Sequence, residues 1–370
     1  MIAALAAAAT LSAAQYRRID AIVASVMRES GVPGLSLGIA RNGSTLYLRG
    51  YGLRDAGRRR PADGFTIYAA GSIAKQFTAA LVLQDVASGR LSLDRGAPTV
   101  RELLAQTTGD TWEYRNENYA ALGALLERTD GAPYCSLAAQ RIFVPLHLLS
   151  TSCNAPAPSW NVAVSRGPAQ WIAPAAGGLW SNAPDLLRWL DELRDGRMVP
   201  RELYAEMTTS GRLDGGVPTN YGFGFFTATW YGYRVAFHDG LVDGYSCEDV
   251  LSLEDGLELA LLSNAGSVDL TPLAKSVFAI ADPPRDKNSY AVPNAPAENE
   301  NRKVTAAVTA ALQGPAYVSY GKLALLEFVE RTVKGSTTFD RYRATFERAV
   351  LWVTVGYGPG DAIESLTVSP

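Results

Sequence analysis

Between residues 14 and 29 the apolar positions Ile19, Ile22, Val23 and Val26 recur at intervals of three and four, lining one face of a helix. The period then shortens. Residues 35–40 and 44–51 read as two strands, and Arg41-Asn42-Gly43 between them carries the Asn-Gly signal of a tight hairpin. From Ser72 onward Phe77, Leu81 and Val86 return to helical spacing among frequent alanines, with Gly89 expected to end the helix. Shorter helical pieces are expected at 101–105, 118–128, 136–143 and 184–193, divided by Gly, Pro and Asn. Residues 221–263 turn back to strands (YGFGFFTATW, YRVAFHDG, GYSCEDVLSL, LELALLSN), with turns at Tyr231-Gly232 and Glu254-Asp255-Gly256. An apolar helix over 270–281 closes this part.

Strands at both ends of a helical middle predict one antiparallel sheet flanked by terminal helices, with an all-α subdomain inserted: an α+β domain over residues 15–281. Residues 282–302, rich in Pro, Asn and Glu, read as a linker. Beyond it the alternation over 323–333, 338–346, 349–356 and 362–368 predicts a four-stranded meander, hence a small α+β accessory domain over 303–370. Residues 1–14 are almost wholly small and apolar, and Ser12-Ala13-Ala14 is an acceptable cleavage site before Gln15. That reads as a secretory signal peptide and implies a periplasmic or secreted protein, although no cation precedes Arg17. A buried N-terminal helix is the other reading of the same residues.

Composition narrows the class. Hydrophobic residues make up 47% and charged residues 19% of 370, enough apolar material for a large globular core. A net charge of −3 argues against nucleic acid or an anionic membrane surface as partner, and no apolar run reaches the length of a membrane span. Of Cys135, Cys153 and Cys247 at least one is unpaired; a 135–153 disulfide suits an oxidising compartment, but the spacing does not demand it.

The chemistry concentrates at the start of the central helix. Ser72 and Lys75 stand three residues apart and share a helix face. A serine hydroxyl needs a base to take its proton, and a desolvated lysine amine can serve. The helix N-terminus adds N–H groups where an oxyanion would form. Ser-x-x-Lys alone says little: Ser319-Tyr-Gly-Lys322 matches it too, with Gly321 inside and no helix behind. The distribution of lysine says more. Lys75 is the only lysine before Lys275, although the chain has 34 Lys and Arg. Arginine serves wherever a fixed charge suffices, and arginine cannot act as a base. A plain surface lysine is the rival reading.

Two more polar clusters stand out. Trp112-Glu-Tyr114-Arg-Asn116 precedes a helical run; its tyrosine could relay a proton and its asparagine bind a substrate carbonyl, or it could be an ordinary helix start over a packed aromatic. His238-Asp239-Gly240-Leu241 ends a strand, where Gly240 permits close backbone approach and the Leu241 N–H could serve as an oxyanion donor. His238 could equally be a strand-edge residue, and His147 sits in a turn with no polar company.

Together these clusters resemble the serine hydrolases of the β-lactamase-related, penicillin-binding-protein-like superfamily, in its class C β-lactamase, D-aminopeptidase and carboxylesterase branch. Ser72-x-x-Lys75 resembles the nucleophile motif, Tyr114-x-Asn116 the second motif and His238-Asp239-Gly240 the third. Leu91-Ser-Leu-Asp94, Val100-Arg-Glu-Leu-Leu-Ala-Gln-Thr-Thr-Gly109 and Ala176-Gly-Gly-Leu-Trp-Ser181 are similar to further landmarks. The resemblance covers about residues 16–281 and implies the β-lactamase/transpeptidase-like fold with no metal or cofactor. It implies catalysis by Ser72, Lys75 and Tyr114, with Asn116, His238, Gly240 and Leu241 binding substrate and the N–H groups of Ser72 and Leu241 holding the oxyanion. Lactamases usually carry lysine where His238 stands, so the pattern leans to a hydrolase of small esters or peptide-like amides. A D-stereospecific peptidase or carboxypeptidase on cell-wall peptides, or a non-catalytic binding relative, are the alternatives. The interval from Ser72 to Tyr114 is short for the family, with only Asp110-Thr111 before the Trp112 cluster, which predicts a more open site.

Overall fold

The computed structural model describes residues 10–108, 111–156, 161–165, 172–213, 218–266, 268–283, 301–334, 337–346 and 350–369. Helix α1 (Ala13–Ser30) starts at Ser12, whose hydroxyl accepts the Gln15 N–H while the Gln15 side chain returns to the Ser12 N–H. Its buried residues are Ile19 and Val23, on the face expected from their spacing. Strands β1 (Gly34–Arg41) and β2 (Ser44–Asp55) follow, and Asn42 and Gly43 between them both take positive φ, 50° and 74°. That is the two-residue turn an Asn-Gly pair favours. Strand β3 (Arg60–Pro61) caps the edge of β2.

Strand β4 (Tyr68–Ala69) leads into a 3₁₀ turn at Gly71–Ile73 and then helix α2 (Ala74–Ala87). Ser72 therefore sits in the turn that feeds the helix, rather than in regular α-helix as the spacing suggested. Helix α3 (Val100–Ala105) is boxed at its start by Thr99 and Glu102. Strands β5 (Thr107–Thr108) and β6 (Thr111–Trp112), paired antiparallel, then deliver the chain to helix α4 (Asn116–Asp130). The piece expected over 136–143 is α5 (Tyr134–Ala138) continuing as a π-helical turn, Ala139–Phe143. Cys135 and Cys153 form a disulfide across 18 residues, and Cys247 is free and buried. Strand β7 (Trp180–Ser181) pairs back onto β4, ahead of α6 (Ala183–Arg194) and α7 (Arg201–Thr208).

Strands β8 (Phe226–Trp230), β9 (Tyr233–Val242), β10 (Tyr245–Ser252) and β11 (Leu257–Ser263) complete a seven-stranded sheet ordered β3-β2-β1-β11-β10-β9-β8. The pairing of β1 with β11 joins the two sequence ends, Gly38 lying opposite Leu48 on one side and Ala260 on the other. Alternate residues then face different cores. Leu257, Leu259 and Leu261 pack toward α1 and helix α8 (Thr271–Ala281), while Ala260 and Leu262 pack toward α2 and α6. Gly38 lets α6 settle on the sheet: a Cβ there would lie 2.7 Å from Leu187 Cδ1. Phe77 of α2 stacks on Trp189 of α6, with ring centres 4.2 Å apart.

Of the expected linker, residues 284–300 lie outside the described residues. Helix α9 (Arg302–Leu312) and the antiparallel meander β12 (Leu323–Lys334), β13 (Thr337–Phe346), β14 (Val350–Tyr357) and β15 (Ile363–Ser369) form the accessory part. It has its own core, in which Val304 and Val308 of α9 meet Phe328, Tyr342 and Val353 of the sheet. Ser319 and Lys322 lie at the end of a 3₁₀ segment and just past it, both exposed and remote from a helix start.

Candidate active site

The site is built where α2 begins against the end of β9. Gly71 has φ +57°, and a Cβ on it would come within 2.9 Å of Gly240 C and of Leu241 N. A Cβ on Gly240 would meet Ala70 O at 2.0 Å. The turn carrying Ser72 and the Gly240-Leu241 strand end thus touch backbone to backbone, which only glycine permits. The turn that carries Ser72 therefore lies against the Leu241 backbone N–H.

Helix α2 is apolar nearly all round and buried on all sides, so its one basic residue is buried with it. Lys75 has no exposed surface. Its Nζ lies 2.9 Å from Ser72 Oγ, 2.8 Å from Asn116 Oδ1 and 2.6 Å from the Ala176 carbonyl oxygen. Two of these partners, the carbonyl oxygens, can only accept. A neutral amine gives its two N–H groups to them and keeps its lone pair for the third direction, the Ser72 hydroxyl. Burial drives the Lys75 pKa down from 10.5 to about 7, against the opposing pull of the Asp239 and Glu117 carboxylates. The amine is aimed at the hydroxyl and gives up its proton around neutrality, as a general base must.

Asn116 is the first residue of α4 and reaches Lys75 from there. Tyr114, two residues earlier, lays its ring 4.7 Å below the Lys75 Nζ. Its phenol oxygen is buried without a hydrogen-bond partner. Burial pushes that phenol well above its usual pKa of 10, and the nearby Ser72 hydroxyl tempers the shift. Tyr114 therefore keeps its proton and holds it free to donate.

His238 is fully buried, its Nδ1 lying 2.6 Å from the Asp239 carbonyl and its Nε2 3.2 Å from the Tyr221 hydroxyl. A carbonyl can only accept, so Nδ1 carries the hydrogen and Nε2 accepts from Tyr221. Burial lowers the His238 pKa to about 4, leaving the ring neutral. With both nitrogens taken, His238 offers substrate nothing directly. Its ring forms a wall of the site, 5.8 Å from those of Tyr114 and Tyr221 and 5.1 Å from that of Phe226.

Beneath the site, Gln76 donates to Asp249 Oδ1 at 2.7 Å and accepts from Trp189 Nε1 at 2.8 Å, tying α2 to the sheet and to α6. Ser72, Lys75, Tyr114, Asn116, Gly240 and Leu241 thus converge, while His238 stands behind them. Sequence reasoning did not single out the Ala176 carbonyl as the third partner of Lys75, nor Tyr221. The Ala176-Gly-Gly stretch marked the first; Tyr221, in an aromatic strand-like run, carried no signal. Among the described residues no three His, Cys, Asp or Glu side chains gather as they would around a metal ion, and no helix is long and apolar enough to cross a membrane.

Comparison with known proteins bears on the fold and the family. A D-aminopeptidase of Gluconobacter oxydans (strain 621H) is 22% identical over 311 residues, 67% of this chain and 58% of its own length. The chain thus spans less than two thirds of that curated relative. Among solved structures, an octameric penicillin-binding protein homologue from Pyrococcus abyssi superposes with a TM-score of 0.66 at 21% identity, covering 92% of this chain and 90% of the other. A D-amino acid amidase from Ochrobactrum anthropi SV3 gives 0.63 at 20% identity, covering 74% of this chain and 100% of the other. Both show the β-lactamase/transpeptidase-like α+β fold. The protein-family model described as Beta-lactamase matches residues 19–281, which carry Ser72, Lys75, Tyr114 and the β9 strand end, and the chain belongs to that family.

Proposed function

We propose that this protein is a serine hydrolase that forms an acyl-Ser72 intermediate on small peptide-like amides of D-amino acids, and on small esters of the same acyl groups. The observation that carries this is the Lys75 amine, 2.9 Å from the serine hydroxyl, buried, and shifted to about 7. The amide preference is supported by the relatives named a D-aminopeptidase and a D-amino acid amidase. Esters stay in the reading because an alkoxide leaves more readily than an amine from the same intermediate.

In the proposed reaction Ser72 Oγ bonds to the substrate carbonyl carbon as its proton passes to Lys75 Nζ. The carbonyl oxygen takes up the negative charge between the Ser72 and Leu241 N–H groups. Collapse breaks the bond to the leaving amine, which takes the Tyr114 proton, and Lys75 restores that proton. Water then repeats the sequence on the acyl-serine. The Cys135–Cys153 disulfide supports a periplasmic or secreted setting, since such bonds persist in oxidising compartments.

The test pairs covalent labelling with turnover. A fluorophosphonate should label Ser72, and D-amino-acid amides should be hydrolysed faster than their L forms, with p-nitrophenyl esters also cleaved and nitrocefin scarcely. No labelling at Ser72 would overturn the catalytic reading in favour of a non-catalytic binding protein. Labelling with nitrocefin as the best substrate would make it a lactamase.

A further inference from the structure

The charges around the site are one-sided. Lys75 feels two, those of Asp239 and Glu117, and both are carboxylates. Asp239 stands one residue before Gly240 and is 52% exposed, with its carboxylate 3.7 Å from His238 Nδ1. Strand β8 stops pairing with β9 at Phe237, so from His238 to Val242 the outer side of β9 has no strand partner among the described residues. Asp239 thus sits at a free sheet edge, two residues from the Leu241 N–H. That is about 7 Å along an extended chain, within the span of an amino-acid substrate. Glu117 projects from the first turn of α4, next to Asn116. Of the pair, Glu117 has the Arg115 cation nearby. The Arg115 guanidinium is held by Glu113, and His238 is neutral. Beside these carboxylates the Tyr114 phenol is buried, unpartnered and ready to donate to a leaving group.

We propose that Asp239, assisted by Glu117, is a specificity-determining residue that selects substrates carrying a free ammonium beside the scissile carbonyl and rejects those carrying a carboxylate there. This rests on the acyl-serine reading and narrows its substrate class to amides and esters of free amino acids. N-blocked, anionic peptides would fall outside it. A carboxylate near such an ammonium at a half-exposed rim changes the encounter by about tenfold, and by as much in the opposite sense for an anion.

The experiment compares three amides that differ in charge: D-phenylalaninamide, its N-acetyl form and its N-succinyl form. The ratio of kcat/KM for the free amine over the acetyl form should exceed one in the wild type. It should fall about tenfold in Asp239→Asn and recover in Asp239→Glu, while the succinyl form gains on both. Equal effects of Asp239→Asn on all three amides would overturn the proposal, as would a wild type indifferent to charge. Fluorophosphonate labelling of Ser72 keeps this separate from the reaction itself. If nothing is labelled, calorimetric titration of D-phenylalaninamide against its acetyl form decides. An ammonium preference that Asp239→Asn abolishes upholds the charge selection without catalysis, and equal binding of the two amides rejects it.

Discussion

At the scale of single residues the decisive fact is that one amine has three neighbours and two of them cannot donate. Lys75→Arg keeps the charge and removes the lone pair, so it should cost about 10²–10⁴ in rate, nearly as much as Lys75→Ala. Steady-state rates of the two variants decide this, and more than about a tenth of wild-type activity in the arginine form would sink the role of Lys75. The pH profile follows the same group. Its working form is unprotonated and its pKa lies at about 7, so kcat/KM should climb with pH through about 7. His238, lowered to about 4, is neutral throughout and contributes no limb there; an acid limb centred near 4 instead would transfer the base's role elsewhere. The serine–lysine pair was legible because the chain avoids lysine over so long a stretch. His238 was not, because a strand residue next to glycine looks the same from its neighbours whether its ring meets substrate or Tyr221.

At the scale of elements, the arrangement depends on a turn and a strand end meeting with no side chain between them. Gly240→Ala places a Cβ 2.0 Å from Ala70 O, backbone that cannot swing aside. The variant should fold around the same sheet yet lose at least about a hundredfold in acylation, since one lost oxyanion donor has that effect. Ser72 labelling rates measure it, and near-normal labelling would show that the strand end does not form the oxyanion site. The sheet strands and the α2 helix were readable from their periods, as was the Asn42-Gly43 turn. The exact entry to α2 was not: the 3₁₀ turn at Gly71–Ile73 is imposed by Gly240 and Leu241, some 170 residues away in sequence. Helix α7 went unpredicted for a related reason. Only Met207 and Thr208 of its eight residues are buried, too few to impress a period on the sequence.

For the molecule as a whole, two cores flank the seven-stranded sheet and a third belongs to the accessory part alone. A chain ending at Pro283 should therefore stay folded and keep most of its hydrolase activity. The contact it gives up includes one from Asn220 Nδ2 to the Arg331 carbonyl at 2.7 Å. Asn220 precedes Tyr221, the partner of His238, so a moderate fall in kcat is expected; aggregation or complete loss would show that the third core supports the other two. The burial of Lys75 in a lysine-free stretch has a consequence for spectroscopy. The other lysines are Lys275, Lys287, Lys303, Lys322 and Lys334, all at or beyond the end of the hydrolase part. Protein grown on carbon-13 lysine would thus give a handful of side-chain NMR signals, of which one should titrate near 7 while lysines in water titrate about three units higher. The protonation of the base could then be followed directly, with no substrate present and no reporter attached.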